Sequence, residues 1–288
     1  MVHTGAWNDI ISLPLGPRRG KPRESGLTMI IDKGLGIQET KDLLETSGEY
    51  IDLLKLGFGT SAFYSQKLLQ EKINIAHQYH VDIFPGGTFL EVAFWQGKIK
   101  AFFDRAKQLG FTLVEVSDGT INLSEKERKY IIELALDRGF KVLTEVGKKD
   151  GKVRVSIMNL LEQAQKDLEW GAWKVIMEGR ESGKGIGLYD KDGKVMEDKL
   201  EQFINKFSSI DNIIWEAPLK NQQLEFITRF GVEVNLGNIP SNEVLALESL
   251  RTGLRGDTLN LVISYHDNNE GLEVPPVLSK LIAAWSLR

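Results

Sequence analysis

Lys141-Val142-Leu143-Thr144-Glu145-Val146-Gly147-Lys148-Lys149-Asp150 is the stretch on which the fold turns. An apolar run ends in a carboxylate, and a glycine turn then releases two lysines. The run is too short for a helix and is bounded by glycine, so it reads as a strand. It lacks the strict polar alternation of a one-sided sheet, which places it in a parallel sheet covered on both faces.

The pattern recurs on both sides. Upstream lie Leu27–Ile31, ending at Asp32-Lys33-Gly34, and Ile51–Leu56, which contains Lys55 and runs into Gly57-Phe58-Gly59-Thr60-Ser61. Val81–Phe84 ends at Pro85-Gly86-Gly87-Thr88, and Thr112–Val116 ends at Ser117-Asp118-Gly119. Downstream, Trp173–Met177 leads into Glu178-Gly179-Arg180-Glu181-Ser182-Gly183-Lys184-Gly185, and Asn212–Trp215 into Glu216-Ala217-Pro218. The eighth run is Val232-Glu233-Val234, ending at Asn235-Leu236-Gly237-Asn238.

Helical spacing separates the runs. One such helix opens with Ser124 and Glu127 at capping-box spacing and closes before Gly139. Eight strand–helix units in roughly 230 residues are the dimension of a single (β/α)₈ barrel of the TIM type. A doubly wound open sheet is the alternative, but no GxGxxG follows the first strand.

The expected organisation is an N-terminal extension over residues 1–25, a barrel over 26–258 and a C-terminal tail over 259–288. The extension is rich in Gly, Pro and Arg and reads as packing loosely or on a neighbour. The tail carries Pro275-Pro276 and an amphipathic end, suited to packing on the barrel or on another subunit of a homo-oligomer.

Composition narrows the function. The chain has 288 residues, 42% of them hydrophobic, which is enough for a full core. A net charge of -4 with mixed signs does not describe a nucleic-acid binder, so an anionic substrate needs locally placed Lys and Arg. The absence of cysteine removes disulfides, thiolate nucleophiles and Cys–metal sites. No apolar run approaches the roughly 20 residues of a membrane span. The first positive charges come late, at Arg18 and Arg19, unlike a secretion signal, and the expected location is cytoplasmic. Asn122-Leu123-Ser124 is then a chance sequon. Asp190-Lys191-Asp192-Gly193 misses the calcium-loop spacing.

In such a barrel the chemistry lies at the C-terminal strand ends. Those ends hold Asp32 and Lys33, Lys55, Glu115, Glu145, Glu178, Glu216 and Asn235. Inward carboxylates are costly unless paired, hydrogen-bonded or metal-bound. They therefore read either as metal ligands or as a structural ring of ion pairs with Lys55 and other lysines. Glu115 is the least secure, since a one-residue slip would turn it outward. Oxygen ligands without Cys or nearby His favour a hard ion, and Mg²⁺ is the natural choice, with Asp32, Glu145, Glu178 and Glu216 as candidate ligands.

His3, His77, His80 and His266 all lie away from strand ends, which argues against a Ser-His-Asp hydrolase and a His-based zinc site. Lysine is then the best available proton donor, its pKa lowered if Lys148, Lys149 and Arg180 crowd together. The Gly179–Gly185 run is one residue short of a P-loop and has Gly185 in the Ser/Thr place. Its Arg180, Ser182 and Lys184, with Lys33, Lys148, Asn235 and the amides of Gly86 and Gly87, still suit a substrate bearing a phosphate or sulfonate.

Taken together and in order, these strand ends resemble the phosphosulfolactate synthases. The matching segments run from Asp32-Lys33-Gly34 through Leu143–Lys149 and Glu178–Gly185 to Leu254-Arg255-Gly256-Asp257-Thr258. Phe58 stands where Trp is frequent in that family, and Gly237 where Ala is frequent. The resemblance implies a (β/α)₈ lyase that adds sulfite to phosphoenolpyruvate with Mg²⁺, giving (2R)-3-phosphosulfolactate through an enolate-like intermediate. It implies a proton-donating lysine at Lys149; the strand-end reading adds Lys55 and Glu145 to the catalytic set. The product would feed coenzyme M synthesis or a sulfolactate pool. A related plant branch is associated with heat-stress tolerance, so a non-catalytic or differently catalytic barrel is the alternative.

Overall fold

Residues 5–150, 156–207, 210–267 and 276–286 are described by a computed structural model. The strands are β1 (Thr28–Asp32), β2 (Leu53–Leu56), β3 (Asp82–Phe84), β4 (Leu113–Val116), β5 (Lys141–Val146), β6 (Lys174–Met177), β7 (Ile213–Glu216) and β8 (Asn235–Pro240). The helices begin with α1 (Ile37–Ser47), α2 (Gln66–Gln78), α3 (Gly87–Trp95), α4 (Ile99–Leu109), α5 (Glu125–Asp137) and α6 (Ile157–Glu169). They continue with α7 (Glu197–Ile204), α8 (Lys220–Phe230), α9 (Val244–Arg251), α10 (Gly256–Asp267) and α11 (Pro276–Ser286).

All strand pairs are parallel, in the order β3-β2-β1-β8-β7-β6-β5-β4. The chain forms a nearly closed (β/α)₈ barrel, as its eight repeats predict. Its one seam lies between β3 and β4, and side chains bridge it at both ends. At the N-terminal end Thr112 donates to Asp82 Oδ1 at 2.9 Å, and at the C-terminal end the Gly87 N–H donates to Glu115 Oε1 at 2.8 Å.

The strand period of two sorts each run between two cores. Val114 and Val116, Val142 and Val146, and Ile213 and Trp215 face outward onto the helices. Leu113, Leu143, Ile176, Ile214, Met29, Leu53 and Phe84 fill the barrel interior. Two residues further along their strands come Lys55, Glu115, Glu145, Glu178 and Glu216, all buried. A layer of charge therefore sits on a dry apolar floor. The same alternation places Glu115, the least secure assignment, inside.

Three sequence expectations need correction. The segment from Leu15 to Gly26 does not pack loosely. Leu15 is buried and donates its N–H to the Thr252 carbonyl at 3.0 Å, and Arg23 Nε meets Asp52 Oδ1 at 3.0 Å under the barrel. Lys21 Nζ reaches the Gly48 carbonyl at 2.7 Å. The arginines and lysine of this extension find Asp52, Glu248 and carbonyls of the segments leading into β2 and β3.

The second concerns β8, which begins at Asn235 instead of ending there. Asn235 accepts from the Leu27 N–H at 3.0 Å and donates to the Asp211 and Ile213 carbonyls, stitching β8 to its neighbours at the end opposite the acids. The polar residues Asn235 and Asn238 lie within a strand that looks, by composition, like a turn. Third, α10 and α11 make the tail more helical than its sequence pattern indicates. The α11 helix packs on α8 and buries Leu278 and Ile282, so the barrel itself takes up that amphipathic face.

Candidate active site

The five buried charges meet at the C-terminal end of the barrel, and Lys55 on β2 is their hub. Its Nζ lies 2.9 Å from Glu145 Oε2, 3.0 Å from Glu115 Oε2 and 3.2 Å from Glu216 Oε1. Three carboxylates thus meet an ammonium with three N–H donors. Two of these contacts, to Glu145 and Glu216, are hydrogen bonds and the third is an ion pair, so Lys55 orders the acids around it.

Glu145 bridges two cations. Its second oxygen, Oε1, accepts from Lys149 Nζ at 2.7 Å. Gly147 between them has φ 128° and passes so close to Glu178 that an added Cβ would lie 2.6 Å from the Glu178 Cβ. A side chain there would clash as well as strain the backbone. Lys149 Nζ also lies 3.2 Å from Thr88 Oγ1, 3.6 Å from Glu178 Oε2 and 3.9 Å from Glu91 Oε1.

The remaining acids are held by main-chain amides. Glu216 Oε2 accepts from the N–H groups of Gly179 (2.9 Å) and Arg180 (3.1 Å), and Glu178 Oε1 accepts from Arg180 N–H at 2.7 Å. Arg180 adopts φ 57° to present that amide. Glu178 Oε2 is buried and has no hydrogen-bond partner among the described residues.

These positions set the protonation states. Burial pulls Lys55 down, but Glu115, Glu145, Glu216 and Glu178 outweigh it and hold the ammonium well above the ordinary lysine value. Lys149 is likewise lowered by burial, raised more by Glu145 and Glu178, and ends above its ordinary value. The expected lowering by crowded cations does not occur, because the neighbours of Lys149 are carboxylates. Burial raises Glu145, yet Lys149 and Lys55 hold it below the ordinary range. Burial and Glu145 push Glu115 up to about 7 despite Lys55. Burial, with Glu145 and Glu216 adding repulsion, raises Glu178 well above the ordinary carboxylate.

Glu145, Glu178 and Glu216 each offer an oxygen within 4.8 Å of the others, all from buried side chains. All-oxygen donors, one of them a buried carboxylate oxygen with no hydrogen bond among the described residues, fit a hard divalent cation. Asp32 does not join them. Its Oδ2 meets the fully buried Lys72 Nζ at 2.6 Å, and its Oδ1 accepts from the Gly34 and Leu35 amides at 2.8 Å. Lys72 sits mid-helix in α2, where nothing in the sequence points to a strand-end partner.

The other expected contacts separate. Lys148 turns away, pinning Asp118 Oδ2 at 3.0 Å and the Asp118 and Ile121 carbonyls. Lys33, Arg180, Ser182 and Lys184 are exposed around the rim. Gly86 and Gly87 are buried, and the Gly87 amide is taken by Glu115; a Cβ at Gly87 would lie 2.4 Å from Glu115 Oε1. The close approach serves the carboxylate. His77, His80 and His266 make no ion pair in the acid cluster, and His3 lies outside the described residues.

Besides Lys72, two more residues escape the strand-end reading. Glu91 on α3 accepts from Ser117 Oγ at 2.6 Å and from the Thr120 and Ile121 amides, fixing the loop after β4 beside Lys149. A lone carboxylate in Thr88-Phe89-Leu90-Glu91-Val92-Ala93-Phe94-Trp95 was the available signal. Arg128 on α5 grips Asp167 through Nε (2.8 Å) and a terminal nitrogen (2.6 Å). It also reaches the Glu145 carbonyl and Asp118. This anchors the base of Glu145, and no local pattern marks it.

Residues 16–257 match the family model described as (2R)-phospho-3-sulfolactate synthase. A phosphosulfolactate synthase of Methanocaldococcus jannaschii is 47% identical over 241 residues, covering 83% of this chain and 96% of that protein. One of Methanothermobacter thermautotrophicus is 44% identical over 249 residues, covering 85% and 96%. Among solved structures, phosphonopyruvate hydrolase superposes with a TM-score of 0.50 at 13% identity, covering 92% of each chain, a likeness of fold.

Proposed function

The chain belongs to the phosphosulfolactate synthase family, and from that membership we propose that it joins sulfite to phosphoenolpyruvate to give (2R)-3-phosphosulfolactate. The observation that carries this reading is the meeting of Lys149 with the Glu145–Glu178–Glu216 group on a buried floor. In the reaction the sulfite sulfur bonds to the methylene carbon, and the electron pair of the double bond moves toward the carboxylate. A proton then arrives at the adjacent carbon, so the net change is addition of bisulfite across the double bond.

Glu145, Glu178 and Glu216 would hold Mg²⁺, which when bound supplies positive charge against the substrate carboxylate as electrons gather there. Lys149 is the proton donor. Glu145 Oε1 at 2.7 Å keeps its Nζ protonated before substrate arrives, and Thr88 Oγ1 at 3.2 Å fixes its direction. Carbanionic charge on the substrate then draws the proton from Nζ. Lys55 acts as a positioning residue for three of the acids, and Glu91 and Arg128 position the loops that carry Lys149 and Glu145. Arg180, Lys184 and Lys33 on the rim supply the cations against which phosphate and sulfite, mutually repulsive, would assemble. Ser182 adds a hydroxyl on the same loop.

The test is to incubate protein, Mg²⁺, phosphoenolpyruvate and sulfite and to follow the sulfonate by ³¹P and ¹³C NMR. The expected result is a new phosphorylated sulfonate whose formation stops with EDTA and returns with Mg²⁺. No product from folded protein across metals and pH would overturn the reaction. A rate indifferent to EDTA would remove the metal.

A further inference from the structure

A second site lies away from the acids, between α2, α3 and α4. It is a cavity of about 440 Å³ within the size range of small-molecule pockets (roughly 300–1,000 Å³). Its walls are apolar, built chiefly from Leu69, Phe89, Val92, Phe102, Leu109 and Phe111. None of these residues belongs to the acid cluster.

Polar side chains break the apolar lining at Ser61, Tyr64, Gln66, Gln96, Lys98 and Arg105. On its wall is Ser61, 6% exposed, whose Oγ is buried and has no hydrogen-bond partner among the described residues. A buried hydroxyl without a partner is a standing penalty that a bound polar atom relieves. Lys98 and Arg105 also line the cavity; both are exposed, and neither makes an ion pair among the described residues. No carboxylate lines it. An apolar hollow with unneutralised cations and a buried hydroxyl selects by charge as well as by shape.

We propose that this cavity binds a small organic anion with an apolar body, seated against Phe89 and Phe102. The anionic group would face Arg105 and Lys98, and a polar atom would meet Ser61 Oγ. A protein segment would bury the same walls, but the buried hydroxyl without a hydrogen bond and the two cations at the mouth favour a small molecule. The site is independent of sulfite chemistry, so it stands or falls separately from the reaction above.

The test uses the full chain and anilinonaphthalene sulfonate, an anionic aromatic probe whose fluorescence rises in apolar surroundings. The expected result is saturable binding at one site per chain. Val92→Glu, at a half-exposed position, should abolish it by placing a negative charge in the wall; Ala101→Trp should abolish it by filling space. Arg105→Ala should weaken it about tenfold, equivalent to about 1.4 kcal/mol. Circular dichroism would confirm that each variant folds. Binding that persists in folded Val92→Glu and Ala101→Trp, or that never saturates, would overturn the proposal. So would self-association abolished by Val92→Glu in a protein that binds no probe.

Discussion

Two stretches of one rim received the same kind of residue and put it to opposite uses. At β1, Asp32 ends a strand as the glutamates do, yet it forms a one-to-one ion pair with Lys72 at 2.6 Å while two amides bond its other oxygen. On the β4–β7 side, four carboxylates share only two cations, Lys55 and Lys149. Both regions are buried, so burial of charge does not separate structure from function. Stoichiometry does. A neutral, closed pair asks for nothing further, whereas an acidic excess over a dry floor calls for added positive charge.

The largest expected effect tests the open side directly. Lys149→Ala should lower kcat by about 10²–10⁴-fold, the usual contribution of a positioned proton donor, while thermal melting still reports a folded barrel. Near-normal turnover would remove Lys149 from the mechanism. Next, Glu178→Gln should weaken Mg²⁺ binding at least about 100-fold, beyond the ~10–100-fold typical of an outer-shell partner. Isothermal titration would read this, and an unchanged affinity would dissolve the metal group.

On the closed side, Asp32→Asn should destabilise the fold by about 3–5 kcal/mol, because Lys72 is left buried without its counter-charge. Mg²⁺ affinity should stay near that of the parent. If denaturant melts were unaffected while metal binding fell, the two sides would have been assigned the wrong way round.

The smallest effect is a pH dependence of stability without metal. Glu115, pushed up to about 7, keeps a proton in the fold that the unfolded chain sheds near its ordinary value of 4.5. Rising pH between those values therefore disfavours the folded state, fully so above 7. Glu115→Gln should gain a few degrees of Tm over the parent as pH moves from 4.5 to 8, at about 2–4 °C for each kcal/mol. A difference that stays constant with pH would show that Glu115 is already ionised throughout.

The repeat was legible because each strand run carries its own period and its own glycine stop. Glu145, Glu178 and Glu216 were legible with it, since parity of position from Leu143, Ile176 and Ile214 carries them inward. Parity failed at β8, where Asn235 and the left-handed Asn238 (φ 52°) interrupt the apolar signal and the β1 pairing shifts register. What remained hidden came from helices. Lys72, Glu91 and Arg128 lie far in sequence from the loops they serve, and three-dimensional proximity alone assigns them. The N-terminal extension looked loosely packed because the partners of its arginines, Asp52 and Glu248, stand well apart in the chain.

The missing ladder between β3 and β4 makes the barrel a hoop fastened by a clasp. Seven strand pairs resist opening through their backbones, and the eighth junction is bridged by Asp82–Thr112 at one end and Glu115–Gly87 at the other. Glu115 belongs to both the clasp and the acidic layer, so a change of charge in the site tugs on the fastening. Hydrogen exchange should therefore be fastest at β3 and β4 among the strands, and should slow there when a cation quiets the acids.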